Sequence, residues 1–219
     1  MSEFKRDLSL SSLASFFNYL GQLRIYSLID LVFLLIALKV SLYVFIGILF
    51  LHIGFILYLE HQHNHTYRLR FPSFLWIVLI ITGILIIWKM EVLGFLIASY
   101  LYTKKKDSSF APFSPFFRGA QLFFLVAGVI GYLHILTWLA FGATLTRNAA
   151  GDLRDVEKDR KEHLRTFPVI LGIKRNLSHV HLIGLLLTTI LWWSFTDISL
   201  LYLIIGLLLE VLTYHLTPR

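Results

Sequence analysis

Apolar side chains in this chain are gathered into runs that water cannot accommodate and a bilayer can. A helix rises about 1.5 Å per residue and needs about 20 apolar residues to cross the hydrocarbon core. Runs approaching or reaching that length lie at 25–40, 41–59, 72–88, 91–102, 119–146, 177–195 and 198–216. Only 15% of the 219 residues are charged and 57% are hydrophobic, whereas a soluble domain is about a quarter charged. In lipid every backbone polar group must be satisfied within its own segment, which at these lengths means helices. The expectation is therefore an all-α, multi-pass transmembrane helical bundle forming a single integral membrane domain over 1–219.

The formal charge of +7, from 20 Lys and Arg against 13 Asp and Glu, would point to nucleic acid in a soluble protein. Here the basic residues lie between the apolar runs, where cytoplasmic loops concentrate them, so no nucleic-acid partner is expected. With no cysteine, disulfides and thiolate metal sites are excluded. Leu13, Phe16, Phe17 and Leu20 fall at helical spacing, and residues 1–22 read as an amphipathic helix lying on the membrane surface.

The distribution of Lys and Arg sets an orientation. With the N-terminus cytoplasmic, Arg68, Arg70, Lys104, Lys105, Lys106 and Arg118 fall on the cytoplasmic side, and Lys39 and Lys89 outside. Lys89 and Glu91 mark a tight turn. A single crossing over 119–146 would export the basic residues from Arg147 to Arg175. The segment from about Phe110 to Thr146 is therefore expected to enter and return, bending near Gly128 and Gly131, which gives about eight membrane segments. One long helix with a basic far side is the alternative.

The segment 147–166, on the cytoplasmic side in this scheme, carries the chain's densest acidic pattern. On a helix, Asn148, Asp152, Asp155 and Asp159, spaced by four, three and four, share one face. Three aligned carboxylates repel unless cations lie against them, and an oxygen-only set suits a hard ion such as Mg2+ bridging to phosphate. The same pattern also fits a solvated face neutralised by Arg154, Lys158, Arg160 and Lys161.

Asp152-Leu153-Arg154-Asp155, Asp159-Arg160, Arg165-Thr166-Phe167-Pro168-Val169 and Leu171-Gly172 resemble the second aspartate-rich motif of the UbiA superfamily of intramembrane prenyltransferases. Tyr102-Thr103-Lys104 with Lys106, ahead of Arg118-Gly119, is similar to that family's Tyr and Lys loop. Arg24 resembles the arginine that opens many members. His163 stands where a glycine is usual. At the first motif the chain reads Tyr58-Leu59-Glu60-His61-Gln62-His63-Asn64-His65-Thr66, without an aspartate.

The resemblance implies transfer of an isoprenoid from a polyprenyl diphosphate to a hydrophobic aromatic or lipid acceptor within the bilayer. Asp152, Asp155 and Asp159 would be the catalytic residues and the Mg2+ ligands, with Glu60 and Asn64 as a weakened second metal set. Arg24, Tyr102, Lys104, Lys106, Arg118, Asn148 and Arg165 would bind substrate. The vacant first motif keeps a non-catalytic relative, binding an isoprenoid or a partner enzyme, as the alternative, and a cation transporter as a third. His61, His63 and His65 read either as a wet loop or as a zinc site. Asp30 and Glu210, inside apolar runs, are candidates for lining an acceptor cavity.

Overall fold

The computed structural model describes residues 16–17, 19–62, 70–106 and 109–214, and every regular element among them is helical. The order is α1 (Ile25–Ala37), α2 (Leu42–Gln62), α3 (Leu75–Ile87), α4 (Glu91–Thr103), α5 (Ser114–Ile130), α6 (Ile135–Arg154), α7 (Val156–Lys161), α8 (Phe167–Ile170), α9 (Ser178–Phe195) and α10 (Leu200–Tyr214). Short 3-10 turns cover Lys104–Lys106 and Ala111–Phe113. Most of the proposed surface helix over 1–22 lies outside the described residues.

Among the described residues, three helical stretches are long and apolar enough to cross a membrane, Leu42–Gln62, Ala111–Ile130 and Ser178–Phe195. This is fewer than the eight segments expected. Two of the shorter apolar helices, α1 and α3, are bounded by breaks in the backbone. Arg24, Lys39 and Trp88 adopt positive φ angles of 44°, 50° and 40°, a left-handed conformation that no α-helix can run through. They end or precede α1 and α3, leaving 13 residues in each. The Trp88 break and the turn at Lys89 and Met90 realise the tight turn read from Lys89 and Glu91. At 20 residues α6 is long enough, but Arg147, Asp152 and Arg154 load its last turns with charge.

Contacts divide the chain into two compact units, each drawing on separated parts of the sequence. The first comprises residues 1–32, 41–87 and 208–219. Its frame is the antiparallel pair α2 and α3, which approach through glycines: a methyl group on Gly54 would meet the backbone oxygen of Trp76 at 3.1 Å and Ile80 Cγ1 at 2.8 Å. Leu51, His52, Phe55 and Ile56 are buried along α2, as are Asp30 and Glu210 elsewhere in the unit.

The second unit comprises residues 33–40 and 88–207. Its centre is a hairpin of α5 and α6, so the predicted bend occurs, and it occurs at Gly131. That residue has φ 90°, and its N–H closes α5 onto Ala127 O at 2.8 Å. A positive φ at this point is open to glycine with little penalty. Thr137 Oγ1 donates to Gly131 O at 2.8 Å and secures the turn. Aromatic edges line the hairpin, Phe123 against Trp138 and Phe116 against Phe141, with ring centroids 4.9 and 5.5 Å apart. α4 packs on α5, with Phe124 over Gly94, and α9 packs on α6, where a methyl group added to Gly184 would meet Ala150 Cβ at 3.2 Å.

Gly119 is where the hairpin is closest: an added Cβ would lie 2.9 Å from the Phe141 carbonyl oxygen, a backbone atom that cannot swing aside. Gly142 on α6 faces open space. Gly119→Ala should therefore lower stability by about 1–3 kcal/mol, seen as a lower thermal midpoint in detergent. Gly142→Ala should be neutral or slightly stabilising. Equal midpoints for the two variants would contradict this packing.

Candidate functional site

The acidic segment begins as a continuation of α6. Asn148 Nδ2 donates to Thr144 O one turn back at 3.0 Å, and Asp152 follows one turn further on the same face. The expected unbroken face stops there. α6 ends at Arg154, Asp155 takes φ −100° and ψ 15°, and α7 starts anew at Val156. The kink separates Asp155 from its neighbours: Arg154 Nε donates to Asp155 Oδ1 at 2.8 Å, and Arg154 Nη2 closes a second bond to Oδ2. Burial acts to raise the Asp155 pKa, but the paired bonds and charge of Arg154 outweigh it and hold the carboxyl below its usual range.

Asp152 and Asp159 are both buried and share one cation. Lys105 Nζ lies 2.6 Å from Asp152 Oδ1 and 4.0 Å from Asp159 Oδ2. Ser114 Oγ, at the start of α5, donates to Asp152 Oδ2 at 3.3 Å. Asp159 Oδ2 is buried without a hydrogen bond, and the buried Thr166 hydroxyl stands in the same surroundings. Burial raises the Asp159 pKa, assisted by the charges of Asp152 and Asp155, while Lys105 and Thr166 oppose the shift. For Lys105 burial acts to lower the pKa, and Asp152 and Asp159 more than reverse it, so the ammonium stays charged beyond the usual lysine range.

The cation in contact is thus Lys105, and not the Lys104 expected from the Tyr-Thr-Lys run. Residues 104–106 form a 3-10 turn, in which successive side chains point about 120° apart. Lys104 lies 5.3 Å from the Tyr100 ring. The Lys106 side chain is outside what the structure describes. Tyr102 hydroxyl donates to Asn148 Oδ1 at 3.4 Å, and the Arg118 guanidinium stands 5.9 Å from the Tyr102 ring. Arg118 and Tyr102 thus lead to Asn148, which lies one helical turn before Asp152, while Arg165 is exposed.

The turn after α7 also has a visible cause. His163 N–H bonds to Arg160 O and Leu164 N–H to Asp159 O, a left-handed helix cap centred on His163 at φ 58°. The position is one that favours glycine, and it brings the chain back so that Thr166 stands beside Asp159.

In the first unit, Arg24 Nε forms an ion pair with the buried Glu60, and Gln22 Oε1 accepts from Phe71 N–H at 3.1 Å. Gln22, Glu60, His61, Arg70, Phe71 and Trp76 line a cleft there. Asn64, His63 and His65 lie outside the described residues. Among the described residues, no three His, Cys, Asp or Glu side chains converge as a metal-ion site. The aspartate trio expected from spacing reduces to the pair Asp152 and Asp159, because the kink turns Asp155 onto Arg154.

No family model and no solved structure matches the chain. It is 32% identical over 81 residues to a digeranylgeranylglyceryl phosphate synthase of Methanosphaera stadtmanae, a match covering 36% of this chain and 29% of that protein. The chain thus spans less than a third of that relative's length.

Lys105→Met would leave two buried carboxylates facing each other, at a cost of roughly 3 kcal/mol near pH 7. Removing the ammonium raises the Asp159 pKa further, so its protonation as pH falls relieves the repulsion. Thermal melts of both proteins in detergent should show a deficit for Lys105→Met that is largest at pH 7 and narrows toward pH 4. A deficit independent of pH would contradict the shared-cation geometry.

Proposed function

We propose that the chain is an intramembrane prenyltransferase of UbiA type, moving an isoprenoid from a polyprenyl diphosphate to a hydrophobic aromatic or lipid acceptor. The observation that carries this reading is the convergence of Asp152, Asp159 and Lys105 at the end of an apolar hairpin, with Asn148, Tyr102 and Arg118 alongside. The partial match to a digeranylgeranylglyceryl phosphate synthase supports the same reaction class. The loop charges support a cytoplasmic N-terminus and a cytoplasmic acidic segment.

The donor set fits Mg2+. Asp152, Asp159 and Asn148 offer hard oxygen atoms that would hold the ion, and Asp159 Oδ2 is buried without a hydrogen bond. Mg2+ typically takes one or two carboxylates and fills its remaining positions with phosphate oxygens and water. When bound, the ion would neutralise diphosphate charge as the allylic carbon–oxygen bond breaks.

The chain's own groups do the rest. Lys105 and Arg118 supply fixed positive charge for leaving-group oxygens. The Tyr102 hydroxyl orients the Asn148 amide. Arg154 holds Asp155 ionised, which keeps a third negative charge near the cations without placing it among the ligands. The surrounding apolar helices keep bulk water from the allylic cation, whose hydrolysis would waste the donor.

A non-catalytic isoprenoid-binding relative is the second reading. The Arg24–Glu60 ion pair favours it, because it engages the acid standing where the first aspartate motif would lie. The two readings part in a single assay. Purified protein in detergent with Mg2+ and geranylgeranyl diphosphate should release pyrophosphate once given an acceptor. Asp152→Asn and Asp159→Asn should each reduce turnover by about 100-fold or more; Asp155→Asn, whose carboxylate faces Arg154, should cost about tenfold. Binding without turnover across aromatic and lipid-alcohol acceptors would select the second reading. Failure to bind a prenyl diphosphate at millimolar Mg2+ would defeat both.

A further inference from the structure

A second polar series, made by α4 and α5, leads away from the carboxylates into apolar surroundings. Gln121 is wholly buried and Ser99 nearly so. Gln121 Nε2 donates to Ser99 Oγ at 2.8 Å, and Gln121 Oε1 accepts from Arg118 Nη1 at 2.6 Å. Arg118 faces the Tyr102 ring, and Tyr102 hydroxyl reaches Asn148, one helical turn before Asp152. One turn ahead of Arg118 on α5, Ser114 touches Asp152 directly. Ser99, Gln121, Arg118, Tyr102 and Asn148 thus form one series of contacts that ends one helical turn before Asp152.

A buried amide is costly unless both its ends are bonded, and a leucine or methionine would fill this space without that cost. What the amide adds is direction. The guanidinium is a planar fork on a flexible stem, and its usefulness toward phosphate oxygens depends on the plane in which it is held. The Tyr102 ring bounds one side of the cation, and Gln121 Oε1 grips one end of the fork. The donor-only guanidinium selects the amide oxygen, and Ser99 Oγ accepts from the Nε2 at the other end and so seats the amide.

We infer that Gln121 is a positioning residue, seated by Ser99, that orients Arg118 for the diphosphate of the substrate. The inference rests on the prenyl diphosphate reading above. Gln121 acts wholly through Arg118 and has no contact with substrate in this role. Its loss therefore weakens anion binding only while Arg118 is present.

The test is a double-mutant cycle on the full chain in detergent, measuring the Kd of inorganic pyrophosphate with Mg2+ alongside the thermal midpoint. Gln121→Met keeps the volume and removes the amide, and should raise the Kd about tenfold, the loss expected for a buried hydrogen bond to a charged group. Arg118→Met should raise it at least as much. The double variant should bind no more weakly than Arg118→Met alone. Should Gln121→Met fail to fold, Ser99→Ala serves in its place, with a smaller rise in Kd that also vanishes in the Arg118→Met background.

A purely structural role for Gln121 would lower the thermal midpoint while leaving the Kd unchanged, or would give effects that add in the double variant. Either result overturns the inference and leaves the prenyl diphosphate reading standing. Absence of pyrophosphate binding by the wild-type protein overturns both.

Discussion

Two carboxylates buried at the end of an apolar helical hairpin must be met by positive charge, and the second unit is arranged around that requirement. Asp152 arrives on the last turns of α6 and Asp159 on α7, while Lys105 arrives from the 3-10 turn that follows α4. Each element reaches the site because of a packing feature upstream. Gly131 turns α5 back into α6, Gly119 lets the two helices close, and Gly94 admits the Phe124 ring that seats α4. The acidic pair thus depends on close helix contacts among apolar residues, where dispersion and small residues govern association.

The first unit answers a similar demand in a different way. Glu60 is buried at the end of α2 and is matched by Arg24, which enters through a left-handed turn. An acid with an arginine against it is a neutralised pair, whereas an acid pair sharing one lysine keeps capacity for a further cation. That contrast gives the two acidic positions different chemical prospects, and it follows from their partners and not from the acids themselves.

Much of this was legible in the sequence, and the limits were physical. The all-helical class followed from apolar run lengths, and the hairpin followed from the positive charge beyond residue 147 together with Gly131. Tyr102 and Arg118 were singled out only by the family resemblance, whereas helical spacing put Asn148 on the face of Asp152. The kink at Asp155 was hidden, because periodicity assumes a continuous helix and cannot register that adjacent Arg154 and Asp155 pair with each other. Lys105 was hidden for a related reason: three consecutive lysines are equivalent in sequence, and only the 3-10 turn decides which one points inward. Gln121 has a visible signal in the sequence, a lone amide inside the run 119–146. Breaks at Arg24, Lys39 and Trp88 shortened helices that composition alone would extend.

The proposed site is an oxygen site for a divalent ion and a diphosphate, formed jointly by Asp152 and Asp159. Electron paramagnetic resonance of Mn2+ titrated into the purified protein with and without inorganic pyrophosphate addresses it most directly. A bound Mn2+ signal is expected that requires pyrophosphate for full strength and is lost in both Asp152→Asn and Asp159→Asn. Retention of the full signal in either variant, or no bound Mn2+ at all, would contradict it.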